Sequence, residues 1–123
     1  MDTVASIAQQ FTDYYYSTFD TDRAALAPLY AEESMLTFET NQVQGVTAIV
    51  EKLMSLPFQK VKHQVATLDA QPAGPDGSLL VMVTGKLLLD EEQNPQNYCQ
   101  SFHLISRAGS YYVRNDVFRL VYG

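Results

Sequence analysis

The sequence predicts an α+β domain in which helices come first and pack on a curved, mainly antiparallel sheet. Three helical patterns occupy the first half of its 123 residues, and four long extended segments fill the second half. The junctions between those extended segments are rich in Gly, Pro, Asn, Asp and Ser, which favour turns. Helices followed by consecutive strands are typical of α+β domains. No linker or low-complexity stretch interrupts the chain, so we expect one domain over residues 1–123.

The helices are predicted from apolar residues spaced three and four positions apart. Three segments show this spacing, at Val4–Phe19, Leu26–Tyr30 and Val46–Met54. Residues 20–22 end the first helix and offer an N-cap to the short second one. Gly45 opens the third helix, and Pro57 follows its end because proline cannot continue a helix.

The strands are predicted from apolar and β-branched runs bounded by turn formers. A short strand is expected at Met35–Phe38, with a turn at Thr40 and Asn41 before Gln42–Gln44. Four long strands then follow, at Val61–Gln71, Leu79–Leu89, Gln96–Ser106 and Tyr111–Tyr122.

Some of these strands are apolar on both faces. Leu79–Val83 is apolar at every position, so neither of its faces suits water. The helices can cover one face of the sheet, and a second copy of the chain, related by two-fold symmetry, is the simplest cover for the other. Barrel-like closure within one chain is the alternative.

The composition excludes several functional classes. The net charge is −6 with no cluster of Lys or Arg, which argues against nucleic-acid binding. An acidic balance suits a partner with a basic patch, although solubility alone also explains it. The single Cys99 has no thiol to pair with, and the chain carries neither a recognisable signal segment nor a run long enough to span a bilayer. We expect a reducing cytosolic or nuclear setting.

One acidic turn stands out. The run Asp90–Glu92 follows the apolar Leu87–Leu89, and Glu39 similarly follows Phe38. The simplest interpretation is a solvated turn, with Phe38 and Phe118 packed in the core. If the sheet curls so that these parts meet, they form an aromatic hole rimmed by carboxylates. Such a hole suits an aromatic side chain flanked by Lys or Arg.

The case for catalysis is weak. The three acids of the turn are adjacent and expected to be exposed, and only His63 and His103 could assist them. Both histidines lie within predicted strands, where a structural role is more common. The sequence has no metal-spaced histidines, phosphate-binding glycine loop or nucleophile motif, so we expect neither catalysis nor a cofactor or metal.

Several segments of the chain match the motifs of a known protein family in order and at nearly constant spacing. They are Phe19–Arg23, Met35–Glu39, Gly45–Leu53, Ser55–Val61, Leu68–Pro72, Leu89–Pro95, Tyr111–Val113 and Asn115–Leu120. Through these motifs, nearly the whole chain resembles the nuclear transport factor 2 family, and fungal members most closely. The resemblance implies a cone-like fold with three N-terminal helices on a strongly curved sheet, and dimerisation through that sheet.

The resemblance also implies a function, import of the GTPase Ran into the nucleus in its GDP form, without catalysis. In the family, a cavity accepts an aromatic side chain from the switch II region of Ran, and acidic residues at its rim pair with basic neighbours. Carried over by position, Glu39, Asp90 and Glu92 form the rim. The implied cavity lining is Phe38, Leu56, Val61, Val117 and Phe118.

Family members also bind Phe-rich nucleoporin repeats, which implies a protein of cytoplasm and nucleus concentrated at the nuclear pore. The corresponding positions here are Val4 and Asp76, and Val4 replaces an aromatic residue of familiar members. Two alternatives stay open, an isomerase or dehydratase on the same cone fold, and an adaptor that binds short Phe-containing motifs but not Ran.

Overall fold

The computed structural model describes residues 3–74, 76–90 and 94–122, with the side chain of Thr3 left out. These described residues form two α-helices and one 3₁₀ helix, with α1 at Thr3–Thr21, the 3₁₀ helix at Arg23–Leu29 and α2 at Val46–Met54. The same part of the chain forms six strands, β1 at Tyr30–Phe38, β2 at Asn41–Gln44, β3 at Val61–Pro72, β4 at Leu79–Leu89, β5 at Gln96–Arg107 and β6 at Ser110–Leu120.

All six strands belong to one sheet in the order β2-β1-β6-β5-β4-β3. Every pair of neighbours is antiparallel except β1 and β6, which run parallel. The helices pack on one face, with α1 against β3 and β4 and α2 against β1. The α+β prediction with a mainly antiparallel sheet agrees with this arrangement.

Two elements differ from their predictions. The second helix is a 3₁₀ helix containing Pro28, and Asp22 at its N-cap makes no side-chain capping bond. Strand β1 begins at Tyr30, five residues before the predicted start at Met35. Its first half is Ala-Glu-Glu-Ser, which has low strand propensity. Pairing with β6, where Tyr30 lies opposite Val113, holds it extended.

The inner face of the sheet and the helices enclose the core. Strand alternation directs every second residue of β4 inward, so Leu79, Val81, Val83 and Leu87 are buried. Aromatic rings from α1 meet rings from β5, as in the edge-to-face contact of Phe11 with Phe102 at 5.1 Å. These contacts fix α1 across the sheet.

The outer face of the sheet carries large apolar side chains that the single chain leaves exposed. Leu80, Met82 and Val117 retain 47%, 48% and 44% of their accessible surface. Met82 and Val117 both lie opposite Ser101, on the two sides of β5, so they belong to one continuous patch. The structure therefore excludes the barrel-like closure that was the alternative, since a single chain leaves this face open.

A candidate aromatic pocket

A pocket lies between the inner face of the sheet and the helices, close to the C-terminal ends of β1 and β6. Its walls come from the two α-helices, from the connection that follows α2 and from five strands. The lining residues are Tyr15, Phe19, Leu36, Phe38, Leu53, Phe58, Val61, His63, Leu87, Gln100 and Phe118. Nine of these eleven are aliphatic, phenyl or phenol side chains, and the other two are the polar Gln100 and His63.

Two phenylalanines form one wall. The parallel register of β1 and β6 places Phe38 directly opposite Phe118. Their rings stack with centroids 4.5 Å apart and planes within 4°. Phe118 in turn stacks on Tyr98 at 5.5 Å. The wall is therefore a ladder of three rings across β1, β6 and β5, and Phe38 is its partly exposed end.

Glu39 is anchored at the end of this wall. It has a positive φ of 51° and directly follows Phe38, the last residue of β1. Its N–H donates to the Phe118 carbonyl at 3.1 Å, and its carboxylate accepts the Leu120 N–H at 2.6 Å. Arg119 Nε lies 4.0 Å from the same carboxylate oxygen. Glu39 is thus a preoriented carboxylate beside Phe38, with part of its hydrogen-bonding capacity left for a partner.

Asp90 is anchored next to the segment that carries Phe58. Its Oδ1 accepts the N–H groups of Gln59 and Lys60 at 3.0 and 2.9 Å, and its own N–H donates to the Lys60 carbonyl at 2.8 Å. Chiefly the Lys60 N–H, and then that of Gln59, hold the pKa of the Asp90 carboxyl below its ordinary value. Asp90 is therefore a fixed negative charge at neutral pH.

A histidine and an aspartate meet at the third side of the pocket. His63 Nδ1 lies 2.7 Å from Asp20 Oδ1, and the His63 backbone N–H donates to Asp20 Oδ2 at 3.0 Å. The imidazole stacks on Tyr16 at 4.2 Å. This pairing ties the end of α1 to the start of β3. The sequence did not predict this pairing, because 43 positions separate the two partners.

A buried polar network lies beneath the pocket. Asp116 Oδ2 accepts hydrogen bonds from the hydroxyls of Tyr15 at 3.1 Å and Tyr30 at 2.8 Å, and its Oδ1 accepts one from Gln100 at 2.7 Å. Gln100 accepts the Tyr16 hydroxyl at 2.8 Å. Burial raises the pKa of the Asp116 carboxyl to about 6, against the lowering effect of its hydrogen-bond donors.

The structure places the sequence-predicted cavity residues unequally. Phe38, Val61 and Phe118 line the pocket, whereas Leu56 is buried beside it without lining it. Val117 was wrongly predicted to line the cavity, because neighbouring residues of a strand point to opposite faces and Phe118 occupies the inner one. Val117 lies instead in the outer apolar patch. Glu92 falls outside the described residues.

The comparisons with known proteins agree on one family. Residues 7–120 match the model of the nuclear transport factor 2 (NTF2) domain. Curated proteins called nuclear transport factor 2 are 67% identical over 118 residues in Emericella nidulans and 65% identical over 117 residues in Saccharomyces cerevisiae. Both alignments cover 95% of this chain and 94% of the relative. The chain belongs to the nuclear transport factor 2 family.

A solved structure extends the agreement to three dimensions. Nuclear transport factor 2 from Cryptosporidium parvum superimposes with a TM-score of 0.90 at 42% identity, over 96% of this chain and 94% of that one. The predicted resemblance, the cone fold and a role in nuclear transport are therefore confirmed, and the similarity to fungal members with them.

Val4 and Asp76 lie away from the pocket of this nuclear transport factor 2 chain. Val4 is in the first turn of α1, partly buried against the core. Asp76 lies in the turn between β3 and β4, where its carboxylate accepts the Ser78 N–H at 3.2 Å. Neither residue is part of the aromatic wall.

Within residues 3–74, 76–90 and 94–122, no group of three or more His, Cys, Asp or Glu side chains is arranged to hold a metal ion. In the same part of the chain, no helix combines the length and the apolar character needed to cross a membrane.

Proposed function

We propose that this nuclear transport factor 2 domain, spanning residues 1–123, carries GDP-bound Ran into the nucleus as a non-catalytic homodimer. The observation that carries the proposal is the stacked pair Phe38–Phe118, together with two anchored carboxylates, Glu39 directly after Phe38 and Asp90 against the segment that carries Phe58. An apolar wall with fixed negative charges beside it fits an aromatic side chain flanked by basic residues. That is the composition expected at an interface hot spot.

The two kinds of contact have different roles in the proposed complex. Burial of an aromatic side chain against Phe38 and Phe118 supplies affinity, because it removes a large apolar surface from water. Glu39 and Asp90 supply orientation and speed of association, since charges at the edge of an interface act mainly on the encounter rate. Glu92, predicted as a third rim carboxylate, belongs to the same proposal.

Discrimination between nucleotide states follows if the inserted ring belongs to a switch segment of Ran. Switch segments are held in one arrangement by the γ-phosphate and released after hydrolysis. A carrier that grips the arrangement present with GDP selects that state without contacting the nucleotide. Exchange of GDP for GTP in the nucleus then releases the cargo.

The outer apolar patch supports the homodimer. A second copy placed on Leu80, Met82 and Val117 by two-fold symmetry covers the same patch on both chains. The predicted nucleoporin surface includes Val4 and Asp76. The missing aromatic at Val4 lowers the contact available to each Phe-rich repeat, and several weak contacts per repeat chain compensate through avidity. Binding to such repeats concentrates the carrier at the pore.

One observation favours the second candidate, an enzyme. Asp20–His63 and, beneath it, Asp116 are acid–base groups at a single pocket, and the Asp116 pKa is raised. Against it, the oxygens of Asp116 are occupied by the Tyr15, Tyr30 and Gln100 donors, and His63 is held by Asp20 and Tyr16. The free volume of the pocket is only about 10 Å³, room for a water molecule but not for a substrate.

Titration of the purified chain with Ran, by calorimetry, tests the proposal in both nucleotide states. We expect binding to Ran-GDP and at least tenfold weaker binding to Ran loaded with a non-hydrolysable GTP analogue. Glu39→Lys should abolish the GDP-state binding, and Glu39→Gln, which keeps the acceptor for Leu120 N–H, should weaken it less. Glu51→Lys is the matched control, since Glu51 is an exposed glutamate of α2 outside the pocket.

Equal affinity for the two nucleotide states, or full affinity in Glu39→Lys, overturns the carrier proposal. Binding to Phe-rich nucleoporin repeats with no binding to Ran in either state assigns the chain instead to the adaptor class. Turnover of a small substrate that is lost in His63→Asn assigns it to the enzyme class.

A further inference from the structure

We propose that Phe58 is a movable wall of the aromatic pocket and that Arg23 positions it, so that this pair controls the entry of an aromatic side chain. The inference deepens the function proposed above and rests on it for the identity of the natural ligand. The movable wall itself is a property of the chain and is testable without any partner.

The need for movement comes from the size of the pocket. Its free volume is about 10 Å³, whereas a cavity on the order of 150 Å³ is the scale that accommodates benzene in a protein core. A phenyl ring therefore enters only after a lining side chain has moved. The closed pocket is the resting state, and the open one is the state competent for binding.

Two lining residues, Phe38 and Phe58, are partly exposed and define the mouth, whereas the His63 side chain is only 3% exposed. Phe38 is fixed by strand pairing and by its stack on Phe118. Of the two mouth residues, Phe58 alone lies outside regular structure, in the connection 55–60 between α2 and β3. It is therefore the mouth residue that no helix or strand holds in place.

Arg23 restrains both the backbone carbonyl and the ring of Phe58. Nη1 donates to the Leu53 carbonyl at 2.9 Å and Nη2 donates to the Phe58 carbonyl at 3.0 Å, so one guanidinium bridges the end of α2 and the connection. The same guanidinium lies 5.1 Å from the centre of the Phe58 ring and 5.9 Å from that of Phe19. Its planar fork makes these contacts together, which the ammonium of a lysine cannot do.

Asp90 restrains the far end of the same connection. Its carboxylate accepts the Gln59 and Lys60 N–H groups, as described above. Side chains thus hold the connection at Phe58 itself and at the two residues that follow it. Arg23 acts on the Phe58 carbonyl and ring directly, which makes it the positioning residue for the wall.

The restraint has a consequence for affinity. If only a small fraction of molecules is open, the measured Kd exceeds the intrinsic one by the inverse of that fraction. Loosening the Arg23 contacts raises the open fraction, so the association rate should rise while the dissociation rate changes little. A substitution that merely destabilises the domain would instead lower its melting temperature without this kinetic pattern.

The first test uses toluene as the probe, with binding and exchange followed by NMR on the full chain. We expect Phe58→Ala to bind toluene at least about tenfold more tightly than the unchanged chain. Arg23→Gln should raise the association rate several-fold, and Arg23→Lys should give an intermediate rate. The matched control is Arg107→Gln, because Arg107 also lies over a ring, that of Tyr112 at 4.2 Å, and donates to a side chain at a distance from the pocket.

The second arm repeats the variants with Ran-GDP, which separates the two proposals. If toluene binding responds as expected but no variant binds Ran, the proposal for Phe58 is supported and the carrier function is rejected. If Ran-GDP binds the unchanged chain and all variants with one association rate, the proposal for Phe58 is rejected and the carrier function is supported. Identical toluene kinetics in Arg23→Gln and the unchanged chain also reject the proposal for Phe58, even where Phe58→Ala does not fold.

Discussion

The rings of Phe38 and Phe118 lie 4.5 Å apart and within 4° of parallel, although 80 positions of sequence separate them. The parallel pairing of β1 with β6 produces this contact, since it places the last residue of β1 opposite a residue near the end of β6. The sheet fixes both backbones, so the wall formed by Phe38 and Phe118 is rigid and preformed. A ligand that stacks on it loses little free energy to ordering.

Phe38 tests the binding role of this wall with little effect on folding. Phe38 is partly exposed, so Phe38→Ala should lower the melting temperature only slightly, while the affinity for Ran-GDP falls at least tenfold. Phe118 is 3% exposed, and Phe118→Ala should cost about 3–5 kcal/mol of unfolding free energy in addition. Calorimetric titration and thermal unfolding measure the two effects. Full affinity in Phe38→Ala contradicts the proposed use of the pocket.

A single charged substitution in the outer apolar patch tests whether that patch forms the dimer interface. Met82→Glu and Val117→Glu each place a carboxylate in the patch, where pairing with a second copy would bury it without a partner. We expect each variant to sediment as a monomer at concentrations where the unchanged chain is a dimer. Tyr14→Glu is the control, since Tyr14 is an exposed residue of α1, outside the patch. A dimer that persists in Met82→Glu and Val117→Glu places the interface elsewhere.

Asp116 should make the stability of the chain depend on pH in an unusual direction. Its pKa is about 6 in the folded chain against 3.8 for the free group, so the folded state retains a proton that the unfolded state releases. The contribution is fully present below pH 3.8 and is lost as pH rises through about 6. The loss amounts to about 3 kcal/mol, at 1.36 kcal/mol per pKa unit.

Asp116→Asn isolates this effect because it cannot ionise. Urea unfolding at one fixed chain concentration should show the variant gaining stability relative to the unchanged chain between pH 4 and pH 8, with no further gain above. Asp13→Asn removes a carboxylate from the exposed surface of α1 and serves as the comparison. A stability difference that is constant across this range would mean that Asp116 ionises normally inside the core.

Patterns within one element were predictable from the sequence, and contacts between distant elements were not. Strand β4 runs from Leu79 to Leu89 as predicted, because its apolar run is bounded by turn formers on both sides. The exposed apolar outer face followed from the same strand, since a run without alternation has no polar side. Both predictions needed only neighbours in sequence.

The candidate site shows where such reasoning stops. Sequence analysis overlooked Phe58 as a lining residue and Arg23 as its restraint, because the bonds of Arg23 span 30 and 35 positions. The sequence did not predict the buried position of Asp116 either. A carboxylate at an inward position breaks the alternation of apolar and polar residues along a strand, and here hydrogen bonds from three distant donors stabilise it. The error at Val117 was avoidable from the sequence. Adjacent residues of a strand point to opposite faces, so Val117 and Phe118 cannot both line the pocket.

Gly85 shows how closely β3 and β4 approach behind the pocket. A Cβ at this position would lie 2.2 Å from the Gln64 carbonyl oxygen and 3.0 Å from the Tyr98 ring. The register of β3 on β4 shifts between Val65 and Thr67, beside Gly85, so the irregular strand is pressed against the glycine. The nearest obstacle is backbone, which has less freedom to move than a side chain.

We expect Gly85→Ala to lower the unfolding free energy by about 3 kcal/mol, the upper part of the usual range for overpacking. Gly109→Ala is the matched control, because Gly109 has a positive φ of 79° but nothing within 4 Å of the added Cβ. Its cost should be about 1 kcal/mol, from backbone strain alone. Chemical denaturation of both variants measures the two unfolding free energies, and so separates the cost of backbone strain from the cost of the steric clash at Gly85. Equal costs would mean that β3 yields freely at the bulge, and that the close approach at Gly85 does not constrain the sheet.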